Sequence, residues 1–202
     1  MTNEIDTVRA DIKQYFDPNG RLGWEDGFSQ SEGGLFYIET EHYKQTDPKR
    51  NWIITKVYVG HLEKNGWLFS YLTDNDDTCW AWIDKGKKEY LLLPETQDGQ
   101  SILDISTLKL YSFYSSEDPF IWAQIVPSPD QTKLAVIGCY WACPYELLIY
   151  DCSHLLELPY PYMHIQGLND TFFKIKEWAD NQTVVLTNNK KYEKFIIISL
   201  CK

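Results

Sequence analysis

The sequence predicts an all-β protein made of antiparallel, four-stranded, blade-like repeats, with one short N-terminal helix. From about residue 35 onward, short apolar runs rich in Val, Ile, Tyr and Trp alternate with clusters of Asp, Gly, Asn and Lys, which is typical of strands and turns. Similar runs recur at intervals of about 44 to 49 residues, near the length of a four-stranded unit. These runs cover residues 53–54, 101–104, 146–149 and 195–198.

The first element is a predicted helix within residues 1–18 that packs on the remainder of a single domain spanning 1–202. One face carries apolar side chains at helical spacing, namely Ile5, Val8, Ile12 and Phe16. The following Asp17-Pro18-Asn19-Gly20 ends the helix, because proline cannot continue the hydrogen-bond ladder and Asn-Gly favours a turn. Residues 35–202 then form the β repeats.

Thirteen strands are predicted in the repeat region. They cover residues 35–43, 52–61, 67–72, 79–83, 89–93, 101–105, 108–113, 120–126, 133–138, 145–150, 172–178, 183–187 and 194–200. No second helix is needed to account for the pattern.

Several inner runs are apolar at consecutive positions, as in residues 90–93, 134–137 and 184–186. Both faces of such strands should be covered. Neighbouring blades of a small or partial β-propeller of up to four blades would cover them, whereas the alternative, a β-sandwich, more often shows alternation. An open stack of blades would expose an edge, which the N-terminal helix or a second copy of the chain could cover, so a homodimer through an open blade edge is one expectation.

The segments IVPSPDQTKLAVI (125–137) and ELLIYD (146–151) carry a resemblance to a known fold family. The stretch from Ile125 to Asp151 resembles a blade of WD40-like or TolB-like β-propellers, in which a strand enters a Ser-Pro-Asp-Gly turn and a later strand ends in aspartate. Gln131 stands where glycine is usual in that pattern. The resemblance implies a propeller, or part of one, that serves as a binding scaffold, and it carries no catalytic residue onto this chain. The segment GCYWACPYE (138–146) is also similar to uncharacterised bacterial proteins.

The composition restricts the classes of partner. Acidic residues outnumber basic ones by 29 to 19, so the net charge is −10. Nucleic acid and anionic membranes would be repelled, whereas a basic protein partner would be attracted. The N-terminus shows no signal-peptide pattern, and no run reaches the roughly 18 apolar residues of a membrane span. Five cysteines, an odd number, fit a reducing compartment, so we expect a cytoplasmic protein.

An aromatic loop is the predicted contact surface. Tyr140, Trp141, Pro144 and Tyr145 crowd the predicted connection between two strands. Aromatic loops on rigid scaffolds commonly make binding surfaces, and the alternative is that the loop folds over its own blade.

The same segment contains zinc-ligand residue types in Cys139, Cys143, Cys152 and His154. If the flanking strands form a hairpin, the first two lie in its loop and the last two follow the far end of its second strand. About 20 Å or more of strand would then separate the two pairs. We therefore predict free, partly buried cysteines and no cofactor.

Four tryptophans occupy the predicted first strands of blades, namely Trp80, Trp82, Trp122 and Trp178. They could fill the spaces between blades or stack on a sugar or peptide. A further carboxylate pair, Glu25 and Asp26, lies near Trp24 and Phe28 and could be imagined as glycosidase-type acids.

No catalytic motif is present, so the leading functional prediction is a non-enzymatic protein-binding β-scaffold, such as an immunity-like inhibitor of a basic toxin or an assembly partner. One alternative is a glycan-binding or glycan-processing protein that uses tryptophans and carboxylates. The other is a metal or thiol enzyme centred on the Cys139 loop.

Overall fold

The computed structural model describes residues 4–23, 27–31, 33–47, 49, 52–75, 79–86, 88–97, 99–114, 120–141, 143–168, 173–188 and 195–200. Within these residues the chain has one helix and four antiparallel sheets.

Helix α1 spans Glu4–Tyr15. The strands of sheet 1 are β1 (Phe16–Arg21), β2 (Phe28–Gln30), β3 (Phe36–Gln45), β4 (Ile53–His61) and β5 (Trp67–Thr73). The strands of sheet 2 are β6 (Ala81–Asp84), β7 (Glu89–Leu93), β8 (Gly99–Asp104) and β9 (Lys109–Tyr114). The strands of sheet 3 are β10 (Phe120–Pro127), β11 (Lys133–Tyr140), β12 (Glu146–Asp151) and β13 (Tyr162–Gly167). The strands of sheet 4 are β14 (Phe173–Asp180), β15 (Thr183–Asn188) and β16 (Phe195–Ser199).

The sheets are simple meanders, in which each strand pairs with the next one along the chain. Sheets 2, 3 and 4 follow sequence order without crossovers, and in sheet 1 both β1 and β2 pair with the same edge of β3. No sheet closes into a barrel among the described strands. The all-β, blade-like fold class and the short N-terminal helix are therefore confirmed.

The repeat seen in the sequence is the repeat of these sheets. The four recurring apolar runs lie in β4, β8, β12 and β16, which is the third strand of the path through each sheet. The consecutive apolar runs before them lie in the second strands β7, β11 and β15.

The cores lie between successive sheets and use both faces of the inner strands. In β7, Leu91 and Leu93 pack toward sheet 1 with Ile38 and Val57, whereas Leu92 packs toward sheet 3. Alternate side chains of a strand point to opposite faces, so a strand between two sheets must be apolar at consecutive positions. A third cluster joins sheets 3 and 4. Three separate inter-sheet cores describe a stack of four sheets and do not fit the alternative two-sheet sandwich.

The stack has two outward faces, one on sheet 1 and one on sheet 4. Within the described part of the chain, no buried apolar cluster joins sheet 4 to sheet 1. Helix α1 covers part of the outward face of sheet 1, where Ile12 packs with Tyr43 and Ile54. Helix α1 thus packs against sheet 1 through Ile12.

The structure differs from the predicted elements near the N-terminus and in sheet 3. The helix ends at Tyr15 rather than near residue 18, and β structure begins at Phe16 rather than near residue 35. Pro18 is accommodated because β1 is an edge strand, whose register on β3 is irregular between Phe16 and Arg21. Strands β2 and β13 were also not predicted.

No helix in the described residues has both the length and the apolar character needed to cross a membrane.

Candidate functional site

The predicted contact loop connects β11 to β12, and its four aromatic and proline residues point in different directions. Tyr140 ends β11 and accepts a 2.9 Å hydrogen bond from the backbone N–H of Cys143, which closes the turn. Trp141 is 72% exposed, the largest exposure of any large apolar side chain in the described residues. Pro144 is exposed, while Tyr145 packs against the core between sheets 3 and 4. The loop therefore presents Trp141 and Pro144 to solvent and uses Tyr145 structurally.

Tyr140 lines a cavity of about 540 Å³ between sheets 2 and 3. Such a volume falls within the range of small-ligand pockets. Its aromatic walls are formed by Phe113, Phe120, Trp122, Tyr140, Tyr150 and Tyr162. The remaining lining residues are Gly99, Gln100, Leu148, Pro159, Tyr160 and Pro161. The described residues of the lining include no carboxylate, imidazole, ammonium or guanidinium group, so the walls that they form suit an uncharged, apolar occupant.

The cavity exists because a glycine lets an aromatic ring lie across the sheet. A Cβ at Gly138 would overlap the Ile121 carbonyl and the ring of Phe120. Phe120 in turn packs edge-on against Tyr140, with ring centroids 5.1 Å apart. The contact between Phe120 and Tyr140 therefore positions this wall of the cavity together with the predicted contact loop.

The connection between β12 and β13 forms the opposite wall and ties sheet 3 to sheet 2. The Tyr160 hydroxyl donates to the Leu155 carbonyl at 2.6 Å, and its backbone N–H donates to Gln100 Oε1 at 2.9 Å. Burial, with a smaller contribution from Cys152, raises the pKa of Tyr160 far above its usual range. Tyr160 therefore stays neutral and keeps its hydrogen bond at physiological pH.

The β11–β12 hairpin holds the candidate zinc ligands in two separate places. Gly138 pairs with Glu146 at the loop end, where Cys139 and Cys143 lie, and Lys133 pairs with Asp151 at the other end, beside Cys152 and His154. At about 3.3 Å per residue, the two ends are roughly 17 Å apart. No group of three or more metal-ligating side chains occurs in the described residues.

The described cysteines are free thiols, and the pKa is raised at two of them, Cys139 and Cys152. Cys152 is buried, and its Sγ donates to the Gln131 carbonyl at 3.4 Å. Burial is the main cause that raises the pKa of Cys152 to about 12. Burial, followed by the neighbouring Cys143, also raises the pKa of Cys139. Because the thiolate is the reactive form, neither Cys139 nor Cys152 is activated as a nucleophile.

The four tryptophans fill spaces between sheets. Trp80 and Trp82 pack on the core between sheets 1 and 2, Trp122 lies in the core between sheets 2 and 3, and Trp178 lies in the core between sheets 3 and 4. Trp122 also lines the cavity between sheets 2 and 3, and Trp80, Trp82 and Trp178 line another cavity of about 530 Å³, so packing and ligand stacking both stay open. The carboxylates of Glu25 and Asp26, with Trp24, lie outside the described residues.

Sequence reasoning found the rim of the cavity and missed most of its walls. Phe113 and Phe120 were predicted only as strand residues, and Pro159, Tyr160 and Pro161 were not assigned a role. One available signal was the alternation of proline and tyrosine in residues 159–162, which places rigid apolar surface in a connection.

Comparisons with known proteins place the chain in a family. No protein-family model matches it. It is 30% identical over 190 residues to an uncharacterized protein of Acanthamoeba polyphaga mimivirus, and the alignment covers 89% of this chain and 73% of that protein. This relative is viral, whereas we expected relatives in bacteria.

Among solved structures, a crystal structure of a eukaryotic initiation factor matches with a TM-score of 0.40 and 10% sequence identity. The match covers 89% of this chain and 52% of that one, so the chain spans about half the length of this structural neighbour. Considering the extent and identity of the sequence match, the chain belongs to the same family as the uncharacterized mimivirus protein.

Proposed function

We propose that the protein is a non-enzymatic protein-binding scaffold, which receives an apolar side chain of its partner in the cavity between sheets 2 and 3. The observation that carries this proposal is the aromatic lining of that cavity, whose described residues are all uncharged, with the 72% exposed Trp141 on the adjoining turn. Aromatic anchors that fill desolvated pockets dominate the energetics of many interfaces.

The scaffold itself is a partial β-propeller of the WD40-like or TolB-like kind. Two features support this assignment. Gln131, at the glycine position of the family turn, has a φ of 56°, the left-handed conformation that glycine usually supplies. In addition, Asp104 and Asp151 end the third strands of sheets 2 and 3 and accept hydrogen bonds from the backbone N–H two residues later, at Ser106 and Ser153.

The partner is a basic protein. The net charge of −10 accelerates encounter with a cationic surface, while the uncharged cavity supplies short-range specificity. Two roles of the protein are consistent with a basic partner. One is an immunity-like inhibitor of a basic toxin, and the other is a partner in a larger assembly.

The test begins with tagged protein purified from its native host, with a search for a protein that co-purifies at a fixed ratio. That partner is then produced separately and titrated by calorimetry against the wild type and the double variant Tyr140→Ala/Trp141→Ala. The control variant is Leu62→Ala, which alters an exposed residue of the β4–β5 turn. We expect the double variant to weaken binding at least about 30-fold, corresponding to about 2 kcal/mol, and the control to bind like the wild type.

Unchanged affinity of the double variant would remove the loop from the interface. A loss of more than ~3 kcal/mol in the free energy of unfolding would show instead that these residues belong to the core. Parallel titrations with neutral oligosaccharides and elemental analysis for zinc cover the other two function classes. Saturable sugar binding that Trp141→Ala abolishes would replace the present proposal with glycan binding, and one zinc per chain would replace it with a metal site.

A further inference from the structure

Four aromatic rings form a continuous row on the outward face of sheet 1, and this aromatic patch consists of Phe28, Tyr37, Tyr58 and Trp67. The ring centroids of Phe28 and Tyr37 are 5.8 Å apart, those of Tyr37 and Trp67 are 5.7 Å apart, and those of Tyr58 and Trp67 are 4.7 Å apart. Phe28 is 56% exposed and Trp67 is 47% exposed. The row crosses the sheet from β2 through β3 and β4 to β5.

The strand register places these rings on the face of sheet 1 turned away from sheet 2, which no other sheet covers within the described residues. Ile38 and Val59 point toward sheet 2, so their neighbours Tyr37 and Tyr58 point away from it. Gly60 lies opposite Tyr37, and a Cβ there would overlap the tyrosine ring. The glycine therefore lets Tyr37 lie flat across β4 toward Trp67.

Charges of both signs border the aromatic patch. Lys56 Nζ lies 4.8 Å from the ring centroid of Tyr58. Glu41 accepts hydrogen bonds from Tyr58 and Tyr43, each at 2.6 Å, and pairs with Arg21 at 3.0 Å. Glu39, directly opposite Tyr58 in the register, adds the second carboxylate. Among the described residues of this face, two cations balance two carboxylates, on a chain whose net charge is −10.

Local neutrality indicates which partner fits the aromatic patch. A strongly basic protein would gain most from the acidic remainder of the surface, whereas a second copy of this chain would be repelled everywhere except at a neutral, self-complementary face. In a two-fold arrangement each copy presents the same surface to the other, so both charge signs are needed on one face.

The rest of the stack shows what such a face normally contacts. Each described inter-sheet core is made by one sheet face packed on another. The four rings are in mutual contact and form one contiguous, partly exposed apolar patch, and such patches often mark interaction sites.

We propose that two copies of the chain associate face to face through the outward faces of sheet 1, with the aromatic patch at the centre of the interface. Helix α1 borders this interface, because it covers the neighbouring part of the same face. The interface is separate from the cavity between sheets 2 and 3.

Sedimentation velocity between about 1 and 100 µM tests the proposal on the wild type, Trp67→Lys, Phe28→Lys and the control Trp141→Lys. We expect the wild type and Trp141→Lys to dimerise, and Trp67→Lys and Phe28→Lys to weaken dimerisation at least about 10-fold, because a lysine would be buried at the centre of the interface. Far-UV circular dichroism confirms that each variant is folded. Hydrogen exchange of the wild type supplies a readout without substitution, since residues 36–45 and 53–61 should gain protection as the concentration rises.

A wild type that sediments as a 23.7 kDa monomer at every concentration would overturn the proposal. Dimerisation that survives both patch variants, or that Trp141→Lys alone abolishes, would also overturn it, since the interface would then lie elsewhere.

Discussion

Gln131 shows how one residue joins three segments of the chain. Its side chain accepts a 2.5 Å hydrogen bond from the backbone N–H of Asp84, and its carbonyl accepts bonds from Lys85 Nζ at 2.6 Å and Cys152 Sγ at 3.4 Å. A glutamine at this position thus has a structural role, because its side chain connects sheet 3 to sheet 2.

Two substitutions of Gln131 separate the free-energy cost of its left-handed backbone from the stabilisation that its side chain provides. Gln131→Ala loses the bond to Asp84 and keeps a left-handed φ on a residue with a Cβ, so we expect a loss of about 1 to 2 kcal/mol in the free energy of unfolding. Gln131→Gly loses the same bond but gains a residue suited to the backbone, so it should be more stable than Gln131→Ala by about 1 kcal/mol. Urea unfolding of both variants measures this order. If Gln131→Ala is as stable as Gln131→Gly or more stable, the left-handed φ does not reduce stability at this position.

At the residue scale, the sequence predicted the composition of the contact loop and not its orientation. Tyr140 and Trp141 were identified from aromatic crowding, but which of them turns inward depends on strand register and on the space that Gly138 leaves for Phe120. Phe120 is about 20 residues from the loop and meets it only through the pairing of β10 with β11. Composition carries no information about such a contact.

Helix α1 is held on the sheets by one ion pair in addition to its apolar face. Arg9 donates through Nε to Glu95 Oε1 at 2.5 Å and through Nη2 to Glu95 Oε2 at 2.9 Å. Ser112 also donates to the same carboxylate at 2.7 Å. Glu95 is 3% exposed, so these donors replace the water that would otherwise hydrogen-bond to its carboxyl group.

Removal of Arg9 should therefore loosen the helix. Arg9→Ala leaves the buried Glu95 carboxylate with hydroxyl donors only, and we expect a loss of about 1 to 3 kcal/mol in the free energy of unfolding, because Arg9 is partly exposed. Asp6→Ala, which removes the exposed 2.8 Å contact of Asp6 with Arg9, is the matched control and should cost about 0.5 kcal/mol or less. Thermal and urea unfolding provide the measurement. Equal losses in the two variants would show that Glu95 does not depend on Arg9.

At the element scale, strands with continuous apolar runs were predicted well. Strands that depend on pairing with a neighbouring strand were missed. The prediction for β7 matches Glu89–Leu93 at both ends, since a run covered on both faces is clear in the sequence. β1 contains Asp-Pro-Asn-Gly, a turn signal that edge pairing with β3 overrides. β2 has three residues, too few to show any periodicity.

The whole molecule carries many carboxylates, and several are held in their ionised form by local hydrogen bonds. Hydrogen bonds from Ser153, stronger than the opposing effect of burial, lower the pKa of Asp151. For Asp104, burial opposes ionisation, but bonds from Ser106 and Thr107 outweigh it and lower the pKa. A carboxylate whose folded pKa lies below its unfolded value stabilises the fold above the unfolded pKa, and this contribution is lost as the pH falls through the folded pKa.

Asp151→Asn should reveal this dependence. We expect the variant to be less stable than the wild type at pH 7, because the charge that Ser153 stabilises is missing. The difference should shrink as the pH falls below about 4, where the wild-type carboxylate also becomes protonated. Urea unfolding at pH 7, 4 and 2.5 provides the comparison. A difference that grows on acidification would contradict the assigned direction of the pKa.

The packing of each sheet on its neighbours in chain order has a consequence for how the protein is made. Every described inter-sheet core forms between sheets that are consecutive in sequence. None of these cores therefore needs a contact between the first and the last sheet before it can form. Meander pairing within each sheet joins strands that are close in sequence, which keeps the loops that must close short. During translation, each sheet can consolidate on the one already outside the ribosome. The apolar contacts of helix α1 with sheet 1 can form first, whereas its ion pair with Glu95 can form only after sheet 2 has emerged.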